Sequence, residues 1–269
     1  MSKISNCFKA LQASHKKALI PFITAGDTST EITLPLMHAM VESGANILEL
    51  GVPFSDPMAD GPIIQKASER ALANGMNLEK VFQMVSDFRQ KDSQTPIVLM
   101  GYLNPIEKMG YKTFAKKAAD CGVDGVLTVD LPPEESAGFC QELSNNQLDP
   151  IFLIAPTSKP ERIKTICEVA SGFVYYVSVK GVTGASNLNT DSVAEKLTTI
   201  RQSTQLPVGV GFGISDAKSA KQVGALSDAV IVGSALIKII VENENNQNEA
   251  ISQVKMLINS MRCALDELP

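Results

Sequence analysis

The chain has 269 residues, 44% hydrophobic and 20% charged, and 24 basic against 29 acidic side chains leave a net charge of −5. That is globular composition, and the lack of any basic block speaks against nucleic acid as a partner. No apolar run approaches the ~20 residues of a membrane span, and the opening "MSKISNCFKALQASHKKALI" has no signal-peptide core.

In chain order, a short helix is expected over residues 5–12, followed by an apolar strand over 18–24. Residues 30–43 have helical period, with Leu36, Met37, Met40 and Val41 on one stripe and Pro35 as a kink or first-turn residue. A strand follows over 46–51, then a helix over 78–90 whose Val81, Phe82, Val85 and Phe88 share a face. Strands are expected at 97–101, 125–129, 150–155, 173–178, 207–211 and 228–232. Helices separate most of them, at 134–144, 160–170, 191–203 and 216–223, with Asp191 and Ser215 at N-cap positions. The chain closes on a long amphipathic helix over 249–265.

The strand segments are apolar at consecutive positions, as strands buried on both faces of a parallel sheet are. Eight of them alternating with helices predict an α/β chain forming a (β/α)₈ TIM barrel with an extra N-terminal helix. A doubly wound open sheet is the other architecture this alternation allows. No linker or composition shift divides the chain, so residues 1–269 are expected to form one domain. Five cysteines without CxxC spacing read as reduced thiols of a cytoplasmic protein. His15 and His38 fall in helix-like stretches and are too few for a histidine-rich metal site.

Barrel chemistry sits where strands end. The seventh strand runs into "GFGIS" and the eighth into "VGSA". Gly211, Gly213 and Gly233 let backbone N–H groups approach an anion, and Ser215 and Ser234 add hydroxyls where helices begin. Glycine also serves ordinary tight turns, but two such turns after the last two strands favour a phosphate site. A third glycine-rich stretch, "SVKGVTGASNLN", follows the sixth strand and reads as a lid or a plain surface loop.

The stretch "LELGVPFSDPMADGP" (48–62) carries the carboxylates. Strand alternation puts Ile47, Glu49 and Gly51 on one face. If that face points inward, burial should raise the Glu49 pKa, while Asp60 in a more polar loop should stay ionised. A structural pair, with Asp60 capping the helix after Gly61, is equally open. Phe22, Met100, Tyr102, Leu127, Val129, Leu153, Tyr175 and Phe212 lie at or near strand ends. Together they would line a flat apolar slot suited to an aromatic ring.

"IPFITAGD", "ELGVPFSDPMADGPIIQ", "MGYLNP", "VSVKGVTG", "GFGIS" and "VGSA" occur in order at these strand ends. Over essentially its whole length the chain resembles the α subunits of tryptophan synthase. The resemblance implies retro-aldol cleavage of indole-3-glycerol phosphate to indole and glyceraldehyde 3-phosphate. It implies no cofactor in this chain and a β-subunit partner, carrying pyridoxal phosphate, in an α₂β₂ heterotetramer. By motif, Glu49 would protonate indole C3 and help deprotonate the side-chain hydroxyl. Asp60 would accept the indole N–H, oriented by Thr183. Gly184, Gly213, Gly233 and Ser234 would hold the phosphate. The chain departs from the usual motif at Val179–Lys180, Leu103 and Glu107.

Three other readings stay open from the residues alone. Lys180 could act as a Schiff-base nucleophile. The barrel could bind a phosphorylated ligand without turning it over. Glu49, Asp56 and Asp60 could hold Mg²⁺. The apolar "VPFSDPM" loop, with "LNP" and "DLPP" after neighbouring strands, reads as a protein-contact rim with Asp56 as its polar anchor.

Overall fold

The apolar runs pair edge to edge as parallel strands: β1 (Ala18–Thr24), β2 (Leu48–Gly51), β3 (Ile97–Gly101), β4 (Gly125–Thr128), β5 (Asp149–Ile154), β6 (Val174–Val177), β7 (Val208–Gly211) and β8 (Ala229–Val232). Each pairs with its successor and β8 returns to β1, closing a barrel. This computed structural model describes residues 2–178, 190–211 and 213–269. The closed order rules out the open doubly wound sheet, and the surrounding helices make it a TIM barrel.

The helices are α1 (Lys3–Ala13), α2 (Thr30–Glu42), α3 (Pro62–Ala73), α4 (Leu78–Arg89), α5 (Leu103–Met109), α6 (Tyr111–Cys121), α7 (Ala137–Asn145), α8 (Pro160–Val169), α9 (Thr190–Arg201), α10 (Ala217–Gly224), α11 (Ser234–Glu242) and α12 (Gln247–Asp266).

Strand alternation sorts the core into two layers. Leu19, Ile23, Leu48, Leu50, Ile97 and Leu99 point outward and join the helices in the larger apolar cluster. Ile20, Ile47, Val98, Leu127, Ile151, Phe173 and Ile231 fill the barrel interior. The additional helix α1 closes the end where the strands begin. Ser2 caps it by accepting from the Ser5 N–H. Ile4 and Phe8, one turn apart, turn into the barrel. Phe8 meets Phe173 with ring centroids 5.7 Å apart, and Lys3 pairs with Asp124 just before β4.

Several local expectations shift. Pro35 lies inside α2 rather than in its first turn. The cap of α10 is Asp216, in a reciprocal box with Ser219, and not Ser215. Asp191 is within the first turn of α9, which starts at Thr190. His15 leaves α1 in a turn at φ 56°, whereas His38 stays helical and stacks on Phe88 at 4.7 Å. Helices α3, α5, α6 and α11 go beyond the periodic segments read from the sequence. In α3 and α6 the buried positions are largely Ala and Ser, which leave no apolar stripe, and α11 is rich enough in Ile and Val to read as strand.

The barrel-closing role of α1 has a measurable consequence. Ile4→Ala should lower unfolding stability by roughly 2–5 kcal/mol, the usual cost of an aliphatic cavity in a tight core. Because α1 lies opposite the strand C-termini, substrate KM should stay at its wild-type value. Urea denaturation followed by circular dichroism reads the first effect; a loss under ~1 kcal/mol would show that α1 does not seal the barrel.

Candidate active site

Every residue of β2 is buried, including the carboxylate. Leu48 and Leu50 face the helices, so alternation turns Glu49 inward above Ile47. Its neighbours in register are Phe22 on β1 and Val98 on β3, both apolar. Glu49 is 2% exposed, and among the described residues neither carboxylate oxygen has a hydrogen-bond partner. Burial, reinforced by the charge of Asp60, pushes its pKa up to about 8. Near pH 7 it is therefore mainly a neutral acid.

Asp60 approaches from the loop between β2 and α3. The N-cap of α3 is Gly61, so Asp60 does not cap the helix and its side chain is left for the mouth. The loop is held from several sides. Gln65, one turn into α3, donates to the carbonyls of Asp60 at 2.8 Å and Pro57 at 3.4 Å. Helix α3 is itself clamped by a two-pronged ion pair from Arg70 to the buried Asp27, at 2.6 and 3.1 Å. Tyr102 accepts from the Ala59 N–H at 3.0 Å. Burial raises the Asp60 pKa to about 6, with hydrogen bonding from Tyr102 pulling against the rise. The loop is thus less polar around Asp60 than its sequence implies, yet Asp60 still ionises before Glu49.

Aromatic rings fill space that glycines leave at strand ends. Phe22 packs where Gly51 and Gly233 lack side chains: a Cβ at either would stand 2.7 or 3.2 Å from the ring. The Tyr175 hydroxyl occupies the corresponding gap at Gly211, 2.2 Å from where a Cβ would be. Burial and the nearby Glu49 and Asp60 charges hold Tyr175 firmly as a neutral phenol. Leu127 is fully buried in the barrel interior, so it floors the slot, while Met100, Val129 and Leu153 keep partial exposure.

On the far side of the mouth, Gly213 is exposed with φ 78°, a conformation suited to glycine. Gly233 ends the strand region as the N-cap of α11, whose first residue is the exposed Ser234. Helix starts and open backbone N–H groups suit an anion. Thr183, Gly184 and Phe212, together with Val179 and Lys180, lie outside the described residues. The structure therefore brings together Glu49, Asp60, Phe22, Tyr102 and Tyr175, with Gly233 beside Phe22. Among the described residues no three His, Cys, Asp or Glu side chains converge as metal ligands, so Asp56 does not join Glu49 and Asp60. No helix among them is long and apolar enough to cross a membrane.

Sequence reasoning passed over Gln65, Arg70 and Asp27, which hold the loop and its helix. Gln65 sat in a quoted motif, but a positioning amide has no spacing signature of its own.

The family model described as tryptophan synthase alpha chain matches residues 8–266. The tryptophan synthase alpha chain of Thioalkalivibrio sulfidiphilus is 59% identical over 99% of this chain and 100% of that protein. The crystal structure of tryptophan synthase subunit alpha from Legionella pneumophila superposes with a TM-score of 0.92 at 43% identity, covering all of both chains. A chain of the tryptophan synthase complex from Pyrococcus furiosus gives 0.82 at 38% identity, over 91% of this chain and 98% of that one.

The buried acid should be visible in stability. Unfolded, Glu49 titrates near 4.5; folded, near 8. Between those values the folded chain holds one proton more, so stability falls as pH rises through that window. Glu49→Gln removes this dependence, and its stability advantage over wild type should grow from about pH 4.5 to about pH 8 and then level off. Denaturation midpoints measured across that range check it; a constant difference would place Glu49 in contact with solvent.

Proposed function

The chain belongs to the tryptophan synthase alpha chain family, and on that premise we propose that Glu49 and Asp60 divide the proton chemistry of its reaction. The reaction is the lyase step of tryptophan synthesis: indole-3-glycerol phosphate is cleaved to indole and glyceraldehyde 3-phosphate, and the indole passes to a β subunit. The observation that carries the assignment is the placing of two carboxyls in one mouth, Glu49 buried on a strand with no hydrogen-bond partner among the described residues and Asp60 half-buried on a held loop, which pushes their pKa values up to about 8 and about 6. Near neutrality one is an acid and the other a base.

In this reading the neutral Glu49 gives its proton to C3 of the indole ring, which becomes the positive indolenine tautomer. The ionised Asp60 accepts the ring N–H and stabilises that charge in a water-poor site. Glu49, now a carboxylate, takes the proton of the hydroxyl on the adjacent side-chain carbon. The C–C bond then breaks: its electrons return to the ring to restore indole, and the hydroxyl carbon becomes the aldehyde. Proton count is unchanged across the step. Phe22, Tyr102, Leu127, Tyr175 and Phe212 hold the ring, Thr183 orients Asp60, and Gly184, Gly213, Gly233 and Ser234 hold the phosphate.

These transfers call on side chains alone, and we assign pyridoxal phosphate to the β subunit. The P. furiosus neighbour is a tryptophan synthase complex, which supports a β-subunit partner; an α₂β₂ assembly in the cytoplasm is our reading. The exposed Met58, 82% accessible in the loop carrying Asp56, supports placing the contact there. We read residues 1–269 as one barrel domain.

Two substitutions test the division of roles. Asp60→Asn keeps shape and removes charge, so kcat should fall on the order of 10²-fold with substrate still bound. Indole release from indole-3-glycerol phosphate measures it, and wild-type turnover would remove Asp60 from the mechanism. Gly213→Val should raise KM while circular dichroism stays unchanged; unaltered affinity for substrate and inorganic phosphate would place the anion elsewhere.

A further inference from the structure

Asp60 lies just before α3, so where that helix stands along the barrel sets where Asp60 stands relative to Glu49. Packing keys α3 only weakly. Its buried positions are Ala67, Ser68 and Ala71, which offer no large side chain to lock into a neighbour, and among the described residues no side chain caps its start at Gly61. Its polar anchors are at the other end, on the turn that follows β1. Arg70 grips both carboxylate oxygens of Asp27, at 2.6 and 3.1 Å, and Asn74, where the helix ends, donates to the Gly26 carbonyl at 3.0 Å. Asp27 is 2% exposed, so its charge depends on this guanidinium. The turn itself is tightly held. Gly26 has φ 79°, a Cβ there would stand 2.7 Å from Met76, and its N–H donates to Thr33 on α2 at 2.9 Å. One residue earlier, the Ala25 N–H donates at 2.9 Å to the carbonyl of Gly51, two residues past Glu49 on β2. A path of covalent and hydrogen bonds therefore runs from the strand that carries Glu49, through Ala25–Asp27 and Arg70, along α3 to Gln65 and the Asp60 carbonyl.

We propose that Asp27 and Arg70 are a positioning pair for the cleavage reaction: their ion pair sets the register of α3 against β1 and β2, and with it the place of Asp60 opposite Glu49. This rests on the reading of Asp60 as the acceptor of the indole N–H. Glu49 is held by the sheet, so slippage of α3 moves one reacting group and leaves the other where it was. A displacement of about 1 Å at a reacting group can cost on the order of 10²-fold in rate. Phe22 and Tyr175 stand on β1 and β6, and Gly233 follows β8, so the ring slot and the anion end do not depend on α3. The pair therefore acts on turnover and not on substrate binding.

Arg70→Lys keeps the positive charge and loses the two-pronged grip. Indole release should show kcat about tenfold lower with KM within about twofold of wild type. Hydrogen exchange of the Asp60 amide, which donates to the Pro57 carbonyl in the held loop, should accelerate. A loss that arises through Asp60 should vanish where Asp60 is already disabled. In an Asp60→Asn background, Arg70→Lys should therefore lower kcat by less than about twofold. A pair that only stabilises the fold would lower kcat by the same factor in both backgrounds, or reduce the unfolding midpoint with kcat unchanged. Either result overturns the proposal, and so does unchanged exchange at Asp60. Wild-type turnover in Asp60→Asn by itself is a separate failure, that of the reading of Asp60 on which the pair's role rests. Should Arg70→Lys lose its native circular dichroism, Asn74→Ala carries the same test, since it removes one neutral bond to the same turn. Its kcat should be about threefold lower, again with no further loss beside Asp60→Asn.

Discussion

A carboxylic acid sealed inside an apolar barrel is the constraint on which the rest of this structure turns. Parallel strands wrapped by helices bury both faces, so a glutamate at the end of β2 has nowhere to reach water. An isolated buried charge is far costlier than a buried neutral acid. The protein resolves the conflict by keeping the proton. What would be a defect in a purely structural barrel is, in the function proposed above, the means by which an ordinary carboxyl serves as an acid near neutrality. Room for it and for a flat ring comes from subtraction. Glycines at positions 51, 211 and 233 leave spaces that Phe22 and Tyr175 enter, so the aromatic surfaces stand at the mouth and not on the helix side.

The second carboxyl is treated differently. Glu49 is fixed by a strand in a closed sheet, but Asp60 is on a connection and must be located by its neighbours. Gln65 holds the backbone from one side, Tyr102 holds it from another at Ala59, and the Asp27–Arg70 pair steadies the helix from which Gln65 reaches. The contrast in environment separates the two titrations. A sealed strand gives the group that keeps its proton longer, and a half-covered loop gives the group that ionises first.

Much of this was legible in the residues. Consecutive Val, Ile, Leu and Phe in eight runs are what strands buried on both faces require, and β1 and β3 fall on their expected limits. Alternation alone put Glu49 on the face of Ile47. Of the helices that escaped notice, α3 packs the small Ala67, Ser68 and Ala71 inward, and no hydrophobicity pattern marks such a stripe, whereas α11 is so rich in Ile and Val that it reads as strand. Side-chain identity at the rim was likewise visible without its role. Tyr102 reads as one more aromatic at a strand end until its hydroxyl is seen accepting from the Ala59 N–H, one residue before Asp60. Asp60 itself reads as a polar-loop residue because the groups that bury it come from other strands, and long-range burial has no local signature.

The sealing of the barrel by α1 bears on the order in which a nascent chain can mature. Ile4 and Phe8 are made well before the partners they cover, which lie around β4 to β6, more than a hundred residues later. The seam between β1 and β8 also joins residues about two hundred positions apart, and α12 must still pack across α2 and α10. Contacts of such sequence separation form late, since loop closure is costly until many of them act together. An unfinished chain therefore carries the apolar stripe of α1 before the surface that covers it exists. The dry interior that keeps Glu49 protonated exists only after β8 has closed the barrel and α1 has packed into it.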